Sequence, residues 1–209
     1  MADVEFFWDP VCPWAWITSQ WVREVQQRRE LDVDWRFICL RLLNEGGTID
    51  YATNERYAEG HGRGLRLLRV AKAARDAGHR DRMGELYERF GTRIHVEREP
   101  RSLDDEAGIA AVLEGLGIDP SLAAAAGNES HDDALREEND EALARTGRDV
   151  GTPIITFRPP DGPSFFGPVI SRIPRGDAAE RLWDAVAQLA EWPGFAELKR
   201  SVRERPEVA

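Results

Sequence analysis

At 209 residues, with 42% hydrophobic residues and seven tryptophans, the chain can build one compact domain carrying an insertion, or two small domains. A formal net charge of −10 excludes the basic surface that phosphate binding requires, so nucleic acid is not an expected partner. The same charge argues against adhesion to anionic membranes. No stretch reaches the roughly 18 apolar residues of a membrane helix. The opening Met1-Ala2-Asp3-Val4-Glu5-Phe6-Phe7-Trp8 carries acids where a secretory signal carries basic residues. A cytoplasmic protein is expected, in a reducing compartment where two cysteines are not a structural disulfide framework. Of the 28 basic residues only Lys72 and Lys199 are lysines, a bias of the kind a G+C-rich genome imposes.

Val4 to Trp8 is a short aromatic and β-branched run stopped by Asp9-Pro10, which predicts a strand. Beyond Pro13, residues Trp14, Ile17, Trp21, Val22 and Val25 recur at helical spacing, and Pro13 suits a first helical turn that needs no amide donor. Leu31 to Leu40 alternates apolar and charged residues and predicts a second strand. From Tyr51 to Thr146 the pattern is helical: a helix through Leu65–Ala74, another through Met83–Phe90 closed by Gly91, and a third carrying Ile109, Val112, Leu113 and Leu116. Ser102 with Asp105 resembles a capping box for that third helix, and Gly117 its stop. Asp119-Pro120 opens an Ala-rich helix and Leu135 to Leu143 marks the last of the block. Strand signals return at Pro153–Phe157 and Ser164–Gly167, joined by Arg158-Pro159-Pro160-Asp161-Gly162, a hairpin turn composition. A helix with Asp177 and Glu180 in its first turn carries Leu182, Val186 and Leu189. The order β-α-β, helical block, β-β-α predicts an α/β thioredoxin fold: residues 1–50 and 148–209 form the thioredoxin-like domain, and 51–147 an all-helical insertion domain.

The cysteine on the loop entering the first helix carries the chemistry. Free backbone N–H groups and the positive end of the helix dipole favour the thiolate there, and the thiolate is the nucleophile. Pro13 stiffens the turn, while Trp14 and Trp16 can supply apolar walls. Gly151-Thr152-Pro153 stands before an apolar strand, where a cis-proline would shield the sulfur and the Thr152 backbone could pair with a peptide-like thiol. Cys39, in the apolar run Phe37–Leu40, reads as a buried, inert thiol, with a resolving partner for Cys12 as the alternative. The histidines His61, His79, His95 and His131 lack metal-ligand spacing, so no metal is expected. Gly60-x-Gly62-x-Gly64 lacks the strand–helix context of a nucleotide loop.

Several blocks together resemble the DsbA-like thioredoxin superfamily, in particular the mycothiol-dependent nitroreductase family of actinobacteria. They are Asp9-Pro10-Val11-Cys12-Pro13-Trp14, Leu43-Asn44-Glu45, Gly91-Thr92-Arg93-Ile94-His95, Asp149-Val150-Gly151-Thr152-Pro153 and the tail Phe165–Gly176 with Gly194-Phe195 and Glu197–Arg200. The resemblance implies Cys12 as nucleophile, Pro153 as cis-proline, and mycothiol as a low-molecular-weight thiol co-substrate. It also implies small nitroaromatic or other electrophilic substrates in a cleft lined by Trp14, Trp16 and Asn44. Two departures stand out. Ala15 occupies the position of the resolving cysteine in a C-x-x-C member, and Leu135–Asn139 lacks a histidine that the resemblance leads one to expect. A single active thiol works through a mixed disulfide with an external thiol. Two other readings stay open: a thiol transferase or isomerase like the kappa-class enzymes, and a non-catalytic carrier of hydrophobic ligands. A homodimer is likewise left open.

Overall fold

The computed structural model describes residues 2–45, 47, 49–200 and 204–209. Its contacts gather into two compact units. One, the sheet unit, comprises Met1–Trp8, Cys12–Arg36 and Leu143–Ala209; the other, the helical unit, comprises Asp9–Val11 and Phe37–Ala142.

The sheet unit holds a four-stranded sheet of order β2-β1-β3-β4, made of β1 (Val4–Trp8), β2 (Val33–Phe37), β3 (Ile154–Phe157) and β4 (Ser164–Phe166). All five residues of β1 are buried, as fits a central strand, including Glu5, whose carboxylate pairs with Arg36 at 2.8 Å. β1 pairs antiparallel with β3, Phe6 opposite Ile155, and β3 pairs antiparallel with β4, Ile155 opposite Phe165. The β3–β4 turn is closed by Gly162 N–H donating to the Arg158 carbonyl at 3.0 Å. Only glycine fits there, because a Cβ at position 162 would lie 1.6 Å from the Phe157 carbonyl oxygen.

Helix α1 (Pro13–Gln26) buries Ile17, Trp21, Val22 and Val25, the face its spacing predicts. Trp21 packs its ring at 5.3 Å and a tilt of 51° against Trp183 of α7 (Asp177–Glu191) and donates its indole N–H to the Ala179 carbonyl at 2.9 Å. That contact joins the last helix to the first and fixes α1 beside the sheet. A large aromatic fully buried in this way contributes about 3 kcal/mol by apolar transfer.

The helical unit contains α2 (Leu40–Leu43), α3 (Glu55–Asp76), α4 (Met83–Gly91) and α5 (Glu106–Glu114), and most of α6 (Asp132–Thr146). Its core includes Leu67, Leu68, Val70, Leu86, Phe90 and Leu113, all fully buried. Within it, Arg69 meets Asp132 through two hydrogen bonds of 2.6 and 2.7 Å. Three local expectations are corrected. Gly91 does not stop its helix: its φ of −64° is helical, and the chain runs on through a π-helical turn at Thr92–Val96. The cap of α5 is Asp105, whose carboxylate takes Gly108 N–H at 2.8 Å, while Ser102 bonds the Glu99 carbonyl instead. The Ala-rich segment Pro120–Gly127 is 3₁₀ rather than α, started by Asp119 accepting from Ser121 N–H.

Candidate active site

Cys12 is the N-cap of α1, with extended backbone angles (φ −80°, ψ 113°) that place its side chain over the first turn. Sγ accepts from Ala15 N–H at 3.5 Å, and the thiol donates to the Thr152 carbonyl at 3.6 Å. The two contacts act on different protonation states. The N–H bond favours the thiolate, and the carbonyl bond exists only for the thiol. Losing the proton therefore gives up the Thr152 bond and keeps the Ala15 N–H on the sulfur. Cys12 is 6% exposed. Thr152 is buried, its hydroxyl donates to the Phe7 carbonyl at 3.3 Å, and the Thr152–Pro153 peptide bond is cis.

The other expected site residues divide between the units. Pro13 is the first residue of α1 and Trp14 the second, both half-buried in the sheet unit. Trp16 is buried at 2% exposure, and its indole N–H is given to the Val208 carbonyl at 2.9 Å. The C-terminal segment that makes this bond is itself tied by Glu207 N–H to the Ser171 carbonyl at 2.8 Å. Asn44 belongs to the helical unit, where it ends α2 and donates to the Leu40 carbonyl at 2.7 Å. The structure thus brings Cys12, Pro13, Trp14, Thr152 and Pro153 together in one unit and carries Asn44 in the other.

Cys39 is buried, and burial pushes its thiol above the ordinary range, helped by the Asp9 carboxylate. Asn139 brackets its backbone, accepting from Cys39 N–H at 2.7 Å and donating to the Cys39 carbonyl at 3.1 Å. Both cysteines are free. His61 lies buried on α3 with its Nδ1 2.9 Å from the Tyr51 hydroxyl. Burial lowers its pKa, with the nearby Arg41 acting in the same direction. Among the described residues no group of three or more His, Cys, Asp or Glu side chains could hold a metal ion, and no helix is long and apolar enough to cross a membrane.

Two buried polar groups have no role assigned by the sequence: Asp9, three residues before Cys12, and His95, which bonds to Pro10. Asp9 is completely buried; its carboxylate accepts from Val11 N–H at 2.9 Å and from Leu40 N–H at 2.8 Å. Burial raises its pKa to about 6, against the two N–H bonds that lower it. His95, also buried, faces the Pro10 carbonyl at 2.9 Å. A carbonyl can only accept, so Nε2 carries the proton. Burial lowers the pKa of His95 to about 4, which the carbonyl contact only partly offsets, and the ring is neutral at pH 7.

The sheet, the cysteine at the entry to α1 and the Thr152–Pro153 partner define a DsbA-like thioredoxin-fold protein. Solved structures share that architecture: a 2-hydroxychromene-2-carboxylate isomerase (TM-score 0.59, 18% identity, 89% of this chain and 93% of that one), and a probable DsbA oxidoreductase, SCO1869 of Streptomyces coelicolor (TM-score 0.56, 17% identity, 96% and 94%). The chain belongs to the Rv2466c-like family, described as mycothiol-dependent nitroreductase Rv2466c, whose model matches residues 11–200. It is also 30% identical to the uncharacterized protein Rv2286c of Mycobacterium tuberculosis, over 96% of this chain and 82% of that protein.

Proposed function

We propose that this protein is a thiol-dependent oxidoreductase in which Cys12 is the single nucleophile, mycothiol the reducing thiol, and a small nitroaromatic or other electrophilic compound the substrate. The observation that carries the reading is the seat of Cys12 Sγ, 3.5 Å from Ala15 N–H and 3.6 Å from the Thr152 carbonyl. Family membership supports the choice of thiol and of substrate class. Ala15 leaves no second thiol in the C-x-x-C position, so the electrons come from two equivalents of external thiol.

The bookkeeping is simple for the first reduction of a nitro group. Cys12 and one mycothiol give up two protons and two electrons and join as a mixed disulfide. The nitro group takes both, becoming nitroso and releasing water. A second mycothiol then attacks the mixed disulfide, forming oxidised mycothiol and returning the Cys12 thiolate. Loss of the Cys12 proton frees the Thr152 carbonyl, which can then accept from an N–H of a peptide-like thiol. Trp14, half-buried beside Cys12 in the chain, offers an aromatic surface for a flat substrate. The cytoplasm, with its reduced thiol pool, suits such a cycle.

The test is turnover of a nitroaromatic compound with mycothiol, comparing the native protein with Cys12→Ser. Loss of turnover is expected, and undiminished turnover refutes the mechanism. Ala15 also favours a second reading, a thiol transferase or isomerase, since that chemistry needs no resolving cysteine. A transferase yields a thioether product, whereas the reductase yields oxidised mycothiol.

A further inference from the structure

The three residues that lead into Cys12 are held by bonds of the helical unit. Each carboxylate oxygen of Asp9 takes one backbone N–H, Oδ1 from Val11 and Oδ2 from Leu40. The carbonyl of Pro10 takes the Nε2 proton of His95. Gly64 of α3 lets Asp9 lie close, since a Cβ there would stand 2.8 Å from Oδ1, 3.2 Å from Oδ2 and 3.2 Å from Cγ2 of Val11. One peptide bond after Val11 comes Cys12, whose backbone angles seat Sγ on Ala15 N–H.

A buried carboxylate is costly, and nothing in packing alone asks for one. What it supplies is two acceptor oxygens for two N–H groups that diverge along the chain. An amide of the same shape offers one acceptor and a donor that would face an N–H. We infer that Asp9 is a positioning residue: its doubly bonded carboxylate, seated against Gly64, fixes the segment Asp9–Val11 and thereby the backbone angles that hold the Cys12 sulfur on the first turn of α1. The inference rests on the proposed role of Cys12. Releasing the segment lets Sγ leave the Ala15 N–H, and a thiolate without that donor and helix end is less stabilised.

The experiment is the pH dependence of Cys12 alkylation by iodoacetamide in the full-length protein, read by peptide mass spectrometry so that Cys39 is counted separately. The variants are Asp9→Asn, Gly64→Ala, both together, and Leu113→Ala as a control that removes buried core. Asp9→Asn and Gly64→Ala are each expected to raise the apparent pKa of Cys12 by about half a unit or more, lowering its reactivity near neutral pH about threefold. The double variant is expected to do no more than the larger single one, because both act on one clamp. Leu113→Ala should lower Tm and leave the Cys12 titration in place.

Gly64→Ala keeps the test open if Asp9→Asn fails to fold, since alanine suits a helix interior better than glycine. An unmoved Cys12 titration in Gly64→Ala, or in both single variants, overturns the inference. The two readings fail separately. Turnover that survives Cys12→Ser sinks the proposed function whatever Asp9 does; turnover lost in Cys12→Ser with an unmoved titration sinks only the role of Asp9.

Discussion

The buried pair Asp9 and His95 predicts an unusual flatness in acid, hidden until one partner is removed. The Asp9 pKa rises from 3.8 to about 6 on folding. Its contribution to stability is therefore fully present below 3.8 and is lost as pH rises through 6. The His95 pKa falls from 6.5 to about 4. Its contribution is present above 6.5 and is lost as pH falls through 4. At 1.36 kcal/mol per unit each full effect is about 3 kcal/mol, with opposite signs over nearly the same window. Between pH 7 and pH 5, Asp9 gains about 1.4 kcal/mol and His95 loses about 2, leaving less than 1 kcal/mol net. Urea unfolding followed by tryptophan fluorescence at the two pH values reads the balance. Relative to the native protein over the same pH step, His95→Gln should gain about 2 kcal/mol, and Asp9→Asn should lose about 1.4 kcal/mol. Parallel pH dependence in all three proteins would refute the argument that both groups are buried in these protonation states.

Asp132→Ala takes away two of the three hydrogen bonds of the buried Arg69 guanidinium and leaves only the Ala126 carbonyl at 3.3 Å, and should cost about 3 kcal/mol in urea unfolding. The double change Arg69→Met with Asp132→Leu should recover most of that loss, because an apolar pair needs no partner charge. Cys39 is 0% exposed with its thiol held protonated by burial, so iodoacetamide at pH 8 should label Cys12 alone in the native protein. Peptide mapping before and after denaturation checks this, and comparable labelling of Cys39 in the native state contradicts it.

Much of this was readable from the chain because the signals were local. The aromatic and β-branched run of β1, a proline at the start of α1 and the Trp21-Val22-Val25 stripe each report on one element at a time. The β3–β4 turn was likewise written in its own residues. What the sequence hid depends on contacts between segments far apart in the chain. Asp9 reads as a strand stop, and only Leu40, 31 residues on, makes it a two-acceptor clamp. Gly64 reads as one of three glycines in a discounted nucleotide pattern; its reason is the carboxylate lying against it. The indole N–H of Trp16 goes to Val208 at the other end of the chain, a contact its own segment does not announce. The cap of α5 failed for a subtler cause: Ser102 and Asp105 both suit an N-terminus, and composition does not say which carries the turn.

The claim on which the rest depends is that Cys12 exchanges with a small external thiol. Intact-protein and peptide mass spectrometry after incubation with oxidised mycothiol tests it most directly. A single mycothiol adduct on the peptide carrying Cys12, removed by reduced mycothiol and absent in Cys12→Ser, is the result expected. No adduct, or one that falls on Cys39, would contradict it.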